Sequence, residues 1–355
     1  MKRIFTYIRK QANRILLITI LGGTMASCDT VLNFDEGDCT IEYYVKFIYD
    51  HNMDWEDYFA RDVKTVTLYA FDANGNLAYQ KTEEGEMLAD GSYAMKVELD
   101  DLQYRFIAWA GLDDQSFGYP QLTPGVSKID DLKVIAFRKT VTRAEGEEDM
   151  YIVEDVLSPL WHGEVTPIVE TRSTTGTAKR EYITIPLIKN TNTIRVNVVQ
   201  RTASATRAIT GSTFSYAIYD DNGHMNYDNT LLDDNLLTYL PYSPPQEGNI
   251  LTTSYPDGRP GVTANLSVAR LLTTQAPRIS IKNSAGEEQF PDQLDLIPCI
   301  WEVWNEHYRN RMSFQEYLDR EDEFEVDFFV DENLSMITTV IEINGWIVRL
   351  NTIDF

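Results

Sequence analysis

Cysteine and histidine are scarce in this chain of 355 residues, which contains 3 cysteines and 4 histidines. No two cysteines have the CxxC spacing of a zinc site or a redox dithiol, and the motifs HExxH and GxSxG do not occur. The chain therefore lacks the sequence signatures of zinc hydrolases, dithiol oxidoreductases and serine hydrolases. We predict no metal site and no cofactor, and we do not expect an enzyme.

Positive charge is also scarce, because 31 lysines and arginines stand against 55 acidic residues and leave a formal net charge of −24. A chain this acidic repels phosphate backbones, so nucleic acid is not an expected partner. The chain after residue 28 also has no polybasic patch for anionic lipid headgroups. Attachment to a membrane would therefore need another source.

The hydrophobic stretch at the N-terminus, residues 15–21, is much shorter than the ~20 residues that a membrane-spanning helix requires. Basic residues precede it, and small residues lead from it to the run Met25-Ala26-Ser27-Cys28. This order is typical of a bacterial lipoprotein signal. We predict cleavage between Ser27 and Cys28 and attachment of lipid to Cys28. An ordinary secretory cleavage that leaves Cys28 as a free thiol is the alternative.

Residues 1–27 are thus predicted to be a signal peptide, and residues 28–38 an acidic linker behind the lipidated cysteine. Two or more acyl chains would hold the protein firmly, because each buried CH₂ contributes ~0.8 kcal/mol. Of the other cysteines, Cys39 is interpreted as an apolar strand residue and Cys299 as a buried thiol. A disulfide between these two is the alternative.

Alternation of apolar and polar residues with period two predicts strands along most of the chain. The predicted strands are residues 40–47, 63–71, 93–99, 104–110, 182–188, 193–199 and 214–219. Many short strands separated by Asn-Gly and Asp-Gly turns indicate a mainly β fold built of sandwiches, and not a βα fold.

A short internal repeat suggests two related sandwich domains. Residues 66–75 and 214–223 each read as a strand that contains Tyr and Ala and runs into an Asp-x-Asn-Gly turn. Asn-Gly supplies the positive φ angles of a two-residue hairpin. We predict an N-terminal sandwich over residues 39–190 and a C-terminal sandwich over residues 191–355, with exposed loops at 139–150 and 170–180.

The C-terminal part carries one clear helix and a terminal hairpin. Ser313 and Glu316 form a capping-box pattern, which predicts a short helix that ends near Asp322. Alternating apolar residues on both sides of Asn344-Gly345 predict a hairpin over residues 338–350.

Several other patterns have simple structural interpretations. Asp72–Asn76 contains oxygen ligands, but its glycine stands at the fourth and not the sixth place of a calcium loop, so a hairpin turn is predicted. The spacing of Glu302, Glu306 and His307 matches no metal motif and favours a solvated helix face. Acidic pairs such as Asp220-Asp221 are interpreted as solvated turns and not as glycosidase carboxylates. The tryptophans are attributed to packing, and Arg320 to an ion pair or a stacked ring.

Several segments, taken in order, resemble the FimB-type anchor subunits of type V fimbriae of Bacteroidia. They are residues 25–28, 68–75 (LYAFDANG), 108–112 (AWAGL), 160–163 (LWHG), 269–272 (ARLL), 315–324 (QEYLDREDEF) and 343–351 (INGWIVRLN). The last two are the most specific.

The resemblance implies two transthyretin-like β-sandwich domains in tandem and a lipoprotein of the outer membrane, exposed at the cell surface. Such anchors hold a fimbrial filament at its base and limit its length, with the shaft subunit as partner. Shaft subunits of this system join by strand addition. From its terminal position and alternating pattern, we take the C-terminal region as a candidate for that joint. Its candidate residues are Thr338, Val340, Ile341, Ile343, Trp346, Val348 and Leu350.

Two alternatives stay open at this point. The C-terminal region could instead be an edge hairpin that closes the second domain. The whole protein could instead be a surface glycan-binding lipoprotein of a nutrient-uptake system. Two or three coplanar aromatic rings on one face would favour glycan binding, whereas an apolar groove between sheet edges would favour the fimbrial function.

Overall fold

The computed structural model describes residues 41–99, 103–112, 115–144, 146–167, 179–202, 208–252, 255–290 and 292–350. The chain divides into a smaller unit, residues 1–43 and 170–181, and a larger unit, residues 44–169 and 182–355. In the smaller unit Arg180 forms an ion pair with Glu42 at 3.3 Å.

The described residues form strands β1 to β23 and three α-helices. The strands up to residue 190 are β1 Ile41–Ile48, β2 Thr65–Phe71, β3 Leu77–Glu84, β4 Met95–Val97, β5 Arg105–Ala110, β6 Phe117–Gly118, β7 Lys133–Ala136, β8 Lys139–Val141, β9 Met150–Val153, β10 Trp161–Val165, β11 Lys179–Pro186 and β12 Ile188–Lys189. The later strands are β13 Thr191–Gln200, β14 Phe214–Asp220, β15 His224–Asn226, β16 Leu237–Tyr239, β17 Gln246–Thr252, β18 Tyr255–Ala269, β19 Arg278–Asn283, β20 Leu294–Asp295, β21 Glu323–Val330, β22 Ile341–Ile343 and β23 Trp346–Val348. The helices are α1 Phe59–Asp62, α2 Leu296–His307 and α3 Phe314–Arg320.

The strands form five sheets. Their orders are β11-β1-β4, β12-β10-β5-β2-β3, β17-β18-β13-β21-β22-β23, β20-β19-β14-β16-β9-β8 and β15-β7-β6. Most ladders are antiparallel, but β13 pairs with β21, and β9 with β16, in parallel. Each strand predicted from the sequence overlaps a strand of the structure, and the mainly β sandwich class is confirmed.

The two six-stranded sheets bury their apolar faces in one hydrophobic core. Ile194, Val196 and Val198 of β13 point into it at period two, and Ile279 and Ile281 of β19 belong to the same cluster. Each such side chain contributes ~1.5–3 kcal/mol when it is fully buried. The alternation that predicted the strands therefore reflects a shared core.

The first Asp-x-Asn-Gly turn belongs to a hairpin, as predicted, but the connection has five residues, 72–76, and Gly75 has a positive φ whereas Asn74 does not. The Asp72 carboxylate accepts hydrogen bonds from the backbone N–H groups of Asn74 and Asn76, each at 2.8 Å, and Gly75 has φ +75°. The turn joins β2 to β3, which pair directly.

The second Asn-Gly turn differs from the prediction. Gly223 does not have a positive φ, and β15, which follows it, pairs with β7 and not with β14. The reason is the side chain of Asn222, which is fully buried and donates to the backbone oxygens of Ala269 and Arg270 at 3.2 and 3.1 Å. These long-range bonds, and not hairpin geometry, determine the conformation.

Strands from both sides of residue 190 share sheets. β7 pairs with β15, and β9 pairs with β16. β8 and β9 lie within or at the end of the segment 139–150, which was predicted to be a loop. The boundary between two domains at residue 190 stays a prediction.

The predicted helix is present as α3. The Ser313 hydroxyl accepts a hydrogen bond from the N–H of Glu316 at 3.1 Å, and the Glu316 carboxylate binds Nε of Arg320 at 2.9 Å. Of the longer helix α2, the sequence indicated only the helix face that carries Glu302, Glu306 and His307, and its start was not predicted. Pro298 lies in its first turn, where a proline is tolerated because that N–H has no partner within the helix. Among the described residues, none of the helices has the length and apolar character needed to cross a membrane.

The Ser313→Ala substitution is expected to lower the free energy of unfolding by about 1 kcal/mol, because the N–H of Glu316 loses its acceptor. Denaturation in urea measures this loss. Ser313→Thr is the control, since it keeps an acceptor oxygen. Equal losses in the two variants would contradict a capping role for Ser313.

Candidate functional site

The predicted lipidation and cleavage residues, Ser27 and Cys28, lie outside the described residues, as does Cys39. Their roles stay predictions. Cys299 lies on α2, where it is a buried free thiol whose pKa is raised by burial. The interpretation of Cys299 as a buried thiol is therefore confirmed.

The candidate strand-addition region forms a hairpin at the edge of a six-stranded sheet. Asn344 (φ +47°) and Gly345 (φ +78°) join β22 to β23, and this pair of positive φ angles is typical of a type I′ turn. Ile343 faces Trp346 across the ladder, and Glu342 faces Ile347. β22 pairs in turn with β21, so the predicted hairpin is confirmed.

The seven candidate residues do not share one environment. Ile341, Ile343, Val348 and Leu350 are buried, Val340 is half-buried, and Thr338 and Trp346 are exposed. The hairpin thus buries one face against the sheet core. Its role in a joint stays a prediction.

The outer edge of β23 is the most open part of this hairpin. In the part of the chain that the structure describes, no strand pairs with that edge. The pair next to a two-residue turn is hydrogen bonded, and the antiparallel pattern alternates. The N–H and C=O of Ile347 therefore point away from β22, and its side chain is 61% exposed.

A groove of about 460 Å³ runs between α2 and β23. His307 of α2 stacks on Trp346 with ring centroids 3.5 Å apart. Glu302 and Glu306 line the groove on the helix side, and Ile347 lines it on the strand side. The arrangement places an apolar and acidic surface beside a strand edge.

Three carboxylates meet at the base of the hairpin, on the sheet face that carries Ile347. The register pairs Asp327 of β21 with Glu342 of β22, and both are buried. The amide of Asn197 donates to Asp327 and to Glu325, each at 2.7 Å. Burial, reinforced by Glu325 and Glu342, raises the pKa of Asp327 to about 7. Sequence reasoning did not identify this cluster, because its members come from separate strands.

Most of the segments that carried the family resemblance have structural roles. His162 of the LWHG segment is buried, and its Nε2 lies 2.8 Å from the backbone oxygen of Tyr227. Its ring packs edge-on against Trp109 of the AWAGL segment, with 4.8 Å between the ring centroids. Burial lowers the pKa of His162 to about 4, so the ring is neutral at neutral pH. This histidine acts in packing.

The ARLL and QEYLDREDEF segments meet in a buried ion pair. Arg270 donates through two nitrogens to the two carboxylate oxygens of Asp319, both at 2.9 Å. A third nitrogen of Arg270 donates to the backbone oxygen of Asn229 at 3.2 Å. Asn229 also exchanges amide hydrogen bonds with Asn190. The two segments therefore hold the loop around Asn229 in place.

Arg320 is an ion-pair and stacking residue, so its interpretation from the sequence is confirmed. Its guanidinium lies 3.5 Å from the ring centre of Trp55 and binds Glu316 and the backbone oxygens of Asp50 and Asn52. The ring of Trp301 is exposed, that of Trp304 is half-buried, and the two are tilted by 49° from each other. These tryptophans do not form a coplanar platform, which gives no support to glycan binding.

The interpretation of the pair Asp220-Asp221 was wrong for Asp220, whereas Asp221 is exposed. Asp220 is 2% exposed and so is not a solvated turn residue. Burial raises its pKa to about 7. Its Oδ1 accepts from the N–H of Asp221 at 3.0 Å. The described residues contain no group of three or more acidic, histidine or cysteine side chains that could hold a metal ion.

Comparison with known proteins identifies relatives over most of this architecture. The family model of the Fimbrillin-A associated anchor proteins Mfa1 and Mfa2 matches residues 35–352. The minor fimbrium anchoring subunit Mfa2 of Porphyromonas gingivalis is 29% identical over 114 residues, which are 32% of this chain and 35% of that protein. The matched stretch thus covers about a third of that curated relative.

Solved structures agree with this match. A protein of Bacteroides thetaiotaomicron, described as a candidate polysaccharide-binding protein, is 31% identical with a TM-score of 0.69, over 88% of this chain and 98% of that one. The fimbrial anchor protein Mfa2 of Porphyromonas gingivalis shares the fold at 18% identity, with a TM-score of 0.61 over 87% of this chain and 99% of that one. The resemblance to fimbrial anchor subunits is thereby confirmed, and the chain belongs to the family of Fimbrillin-A associated anchor proteins Mfa1 and Mfa2.

Proposed function

We propose that this protein is a lipid-tethered anchor that holds a fimbrial filament at the outer membrane, limits its length and joins the shaft subunit by strand addition. The match to an anchor family over residues 35–352 is the observation that carries the proposal. The function is mechanical and involves binding, not catalysis. It needs a tether at one end of the protein and a joint elsewhere.

The tether is Cys28. The run Met25-Ala26-Ser27-Cys28 supports lipidation at the first residue of the mature chain. Several acyl chains resist extraction because each buried CH₂ contributes ~0.8 kcal/mol. The acidic linker 28–38 then separates the sandwich from the lipid surface.

The Cys28→Ala variant is expected to release filaments into the medium while the protein still folds, because the substitution removes only the lipid. The measurement is the fraction of filament antigen bound to cells, with radiolabelled palmitate as a check on lipidation. Cys299→Ala is the matched control, since it removes a thiol from α2 and leaves the lipid site intact. Filaments that stay on Cys28→Ala cells would contradict the anchoring proposal.

The joint is the outer edge of β23. An extended strand of the shaft subunit would pair with the outward N–H and C=O of Ile347 and place side chains in the groove beside α2. This addition satisfies backbone groups and covers the exposed side chain of Ile347 at the same time.

The Ile347→Pro variant tests binding at this joint without removing the hydrogen bonds that hold the hairpin together. Proline removes the outward N–H and spares the bonds between β22 and β23, and proline is tolerated at a sheet edge. We expect binding of the shaft subunit to weaken by tenfold or more, about 1.4 kcal/mol, in a pull-down titration of the two purified proteins. Ile347→Ala is the control, since it keeps the N–H. If both variants bind alike, the joint does not lie at β23.

A further inference from the structure

We propose that the C-terminal hairpin is fastened to its sheet by a proton-dependent latch, in which a protonated carboxyl of Asp327 faces Glu342 across the β21–β22 ladder. The latch tightens in acid and loosens towards neutral pH. Its consequence for the filament rests on the proposed joint at β23, whereas the latch itself is a property of the hairpin.

The register of the β21–β22 ladder places two acidic side chains opposite each other. β22 attaches to β21 through two facing pairs, Val326 with Ile343 and Asp327 with Glu342. The second pair joins two acidic side chains, which are 2% and 1% exposed. Like charges that face each other directly across a ladder destabilise it, and a buried carboxylate without a partner destabilises it further. Two ionised carboxylates therefore oppose the attachment of the hairpin.

The groups around Asp327 influence its protonation in opposite directions. Glu325 on β21, Glu342 on β22 and Arg259 on β18 are the charged groups that act on Asp327, and Asn197 on β13 donates to it at 2.7 Å. Arg259 and the Asn197 hydrogen bond favour the ionised form, whereas burial and the two glutamates oppose it. Burial is the largest of these influences, and the pKa of Asp327 rises to about 7. Oε2 of Glu342 is buried and lacks a hydrogen-bond partner, which leaves an acceptor on the facing residue.

The direction of the pH dependence follows from linkage. A detached hairpin exposes Asp327 to water, where the pKa of an aspartate is ~3.9. Between pH ~4 and 7 the attached state thus binds a proton that the detached state does not bind. Attachment is strongest below pH ~4, weakens as the pH rises to about 7, and changes little above that.

Hydrogen exchange of the intact protein tests the latch. We expect the opening equilibrium of the segment 338–350, corrected for intrinsic exchange, to rise roughly tenfold from pH 5 to pH 6 and less steeply as the pH approaches 7. In Asp327→Asn the uncharged amide persists at all pH values, so the profile of this segment should be flat.

Asp220→Asn is the matched control. Asp220 is buried to the same extent and its pKa is also raised to about 7, but it lies on β14 in the other six-stranded sheet. This variant should leave the pH dependence of the segment 338–350 intact. A flat wild-type profile, or a flat profile in both variants, would overturn the latch.

Binding of the shaft subunit and hydrogen exchange of the hairpin are separate measurements, so the joint and the latch can fail independently. If the exchange profile behaves as expected and Ile347→Pro binds the shaft subunit like wild type, the latch stands and the joint at β23 fails. If Ile347→Pro loses binding and the exchange profile is flat, the joint stands and the latch fails.

Discussion

Replacing Arg270 with methionine is expected to lower the free energy of unfolding by about 3–5 kcal/mol, because it leaves the buried Asp319 carboxylate without its cation. The side chains of Arg270 and Asp319 are only 11% and 7% exposed, and two hydrogen bonds of 2.9 Å join them. The backbone oxygen of Asn229 also loses a donor. The midpoint of denaturation in urea measures the loss.

Two further variants show whether the missing partner is the cause. Arg278 forms a similar pair with Asp295 but is 52% exposed, so Arg278→Met should cost less than about 1 kcal/mol. The double variant Arg270→Met/Asp319→Leu removes both charges and should recover most of the stability. A double variant no more stable than Arg270→Met would refute the argument from an unpaired carboxylate.

The second large effect is expected for Gly111→Ala, in the AWAGL segment. Gly111 has φ +80°, and an added Cβ would lie 2.0 Å from the backbone oxygen of Pro159 and 3.2 Å from the Trp161 ring. Neither the backbone of Pro159 nor the buried ring can move away easily. We expect a loss of about 3–5 kcal/mol from strain and overpacking, measured as a fall in Tm.

Gly85→Ala is the control, because it introduces backbone strain without a steric clash. Gly85 has φ +85°, but nothing lies within 4 Å of its added Cβ. Its φ of 85° and ψ of −156° lie in a region that glycine almost alone adopts, so this variant should cost about 1–3 kcal/mol from backbone strain alone. If both alanine variants are equally stable, the close approach to Pro159 is not what requires a glycine at position 111.

Local patterns predicted local structure well. The Asp72–Asn76 turn, the cap at Ser313 and the Asn344-Gly345 turn each depend on residues only a few positions apart, and each was found where the sequence indicated. The family resemblance also led to the correct family. These predictions needed no knowledge of distant contacts.

The errors have long-range causes. The conformation at Asn222-Gly223 depends on hydrogen bonds from Asn222 to the backbone oxygens of residues 269 and 270, which lie almost fifty positions later. The cluster around Asp327 draws its members from β13, β18, β21 and β22, so no sequence window contains it. Similarly, the partner of His162 is a backbone oxygen that only the fold brings near.

The parallel ladder between β13 and β21 has a consequence for folding. It joins residues 193–200 to residues 323–330, and both strands are central in their sheet. Contacts between positions so distant in sequence slow folding, since a long loop must close first. As the chain emerges, β13 therefore presents an open edge until β21 is available, and such edges promote aggregation. Completion of this sheet depends on residues 323–330, so a chain truncated before β21 should aggregate rather than fold.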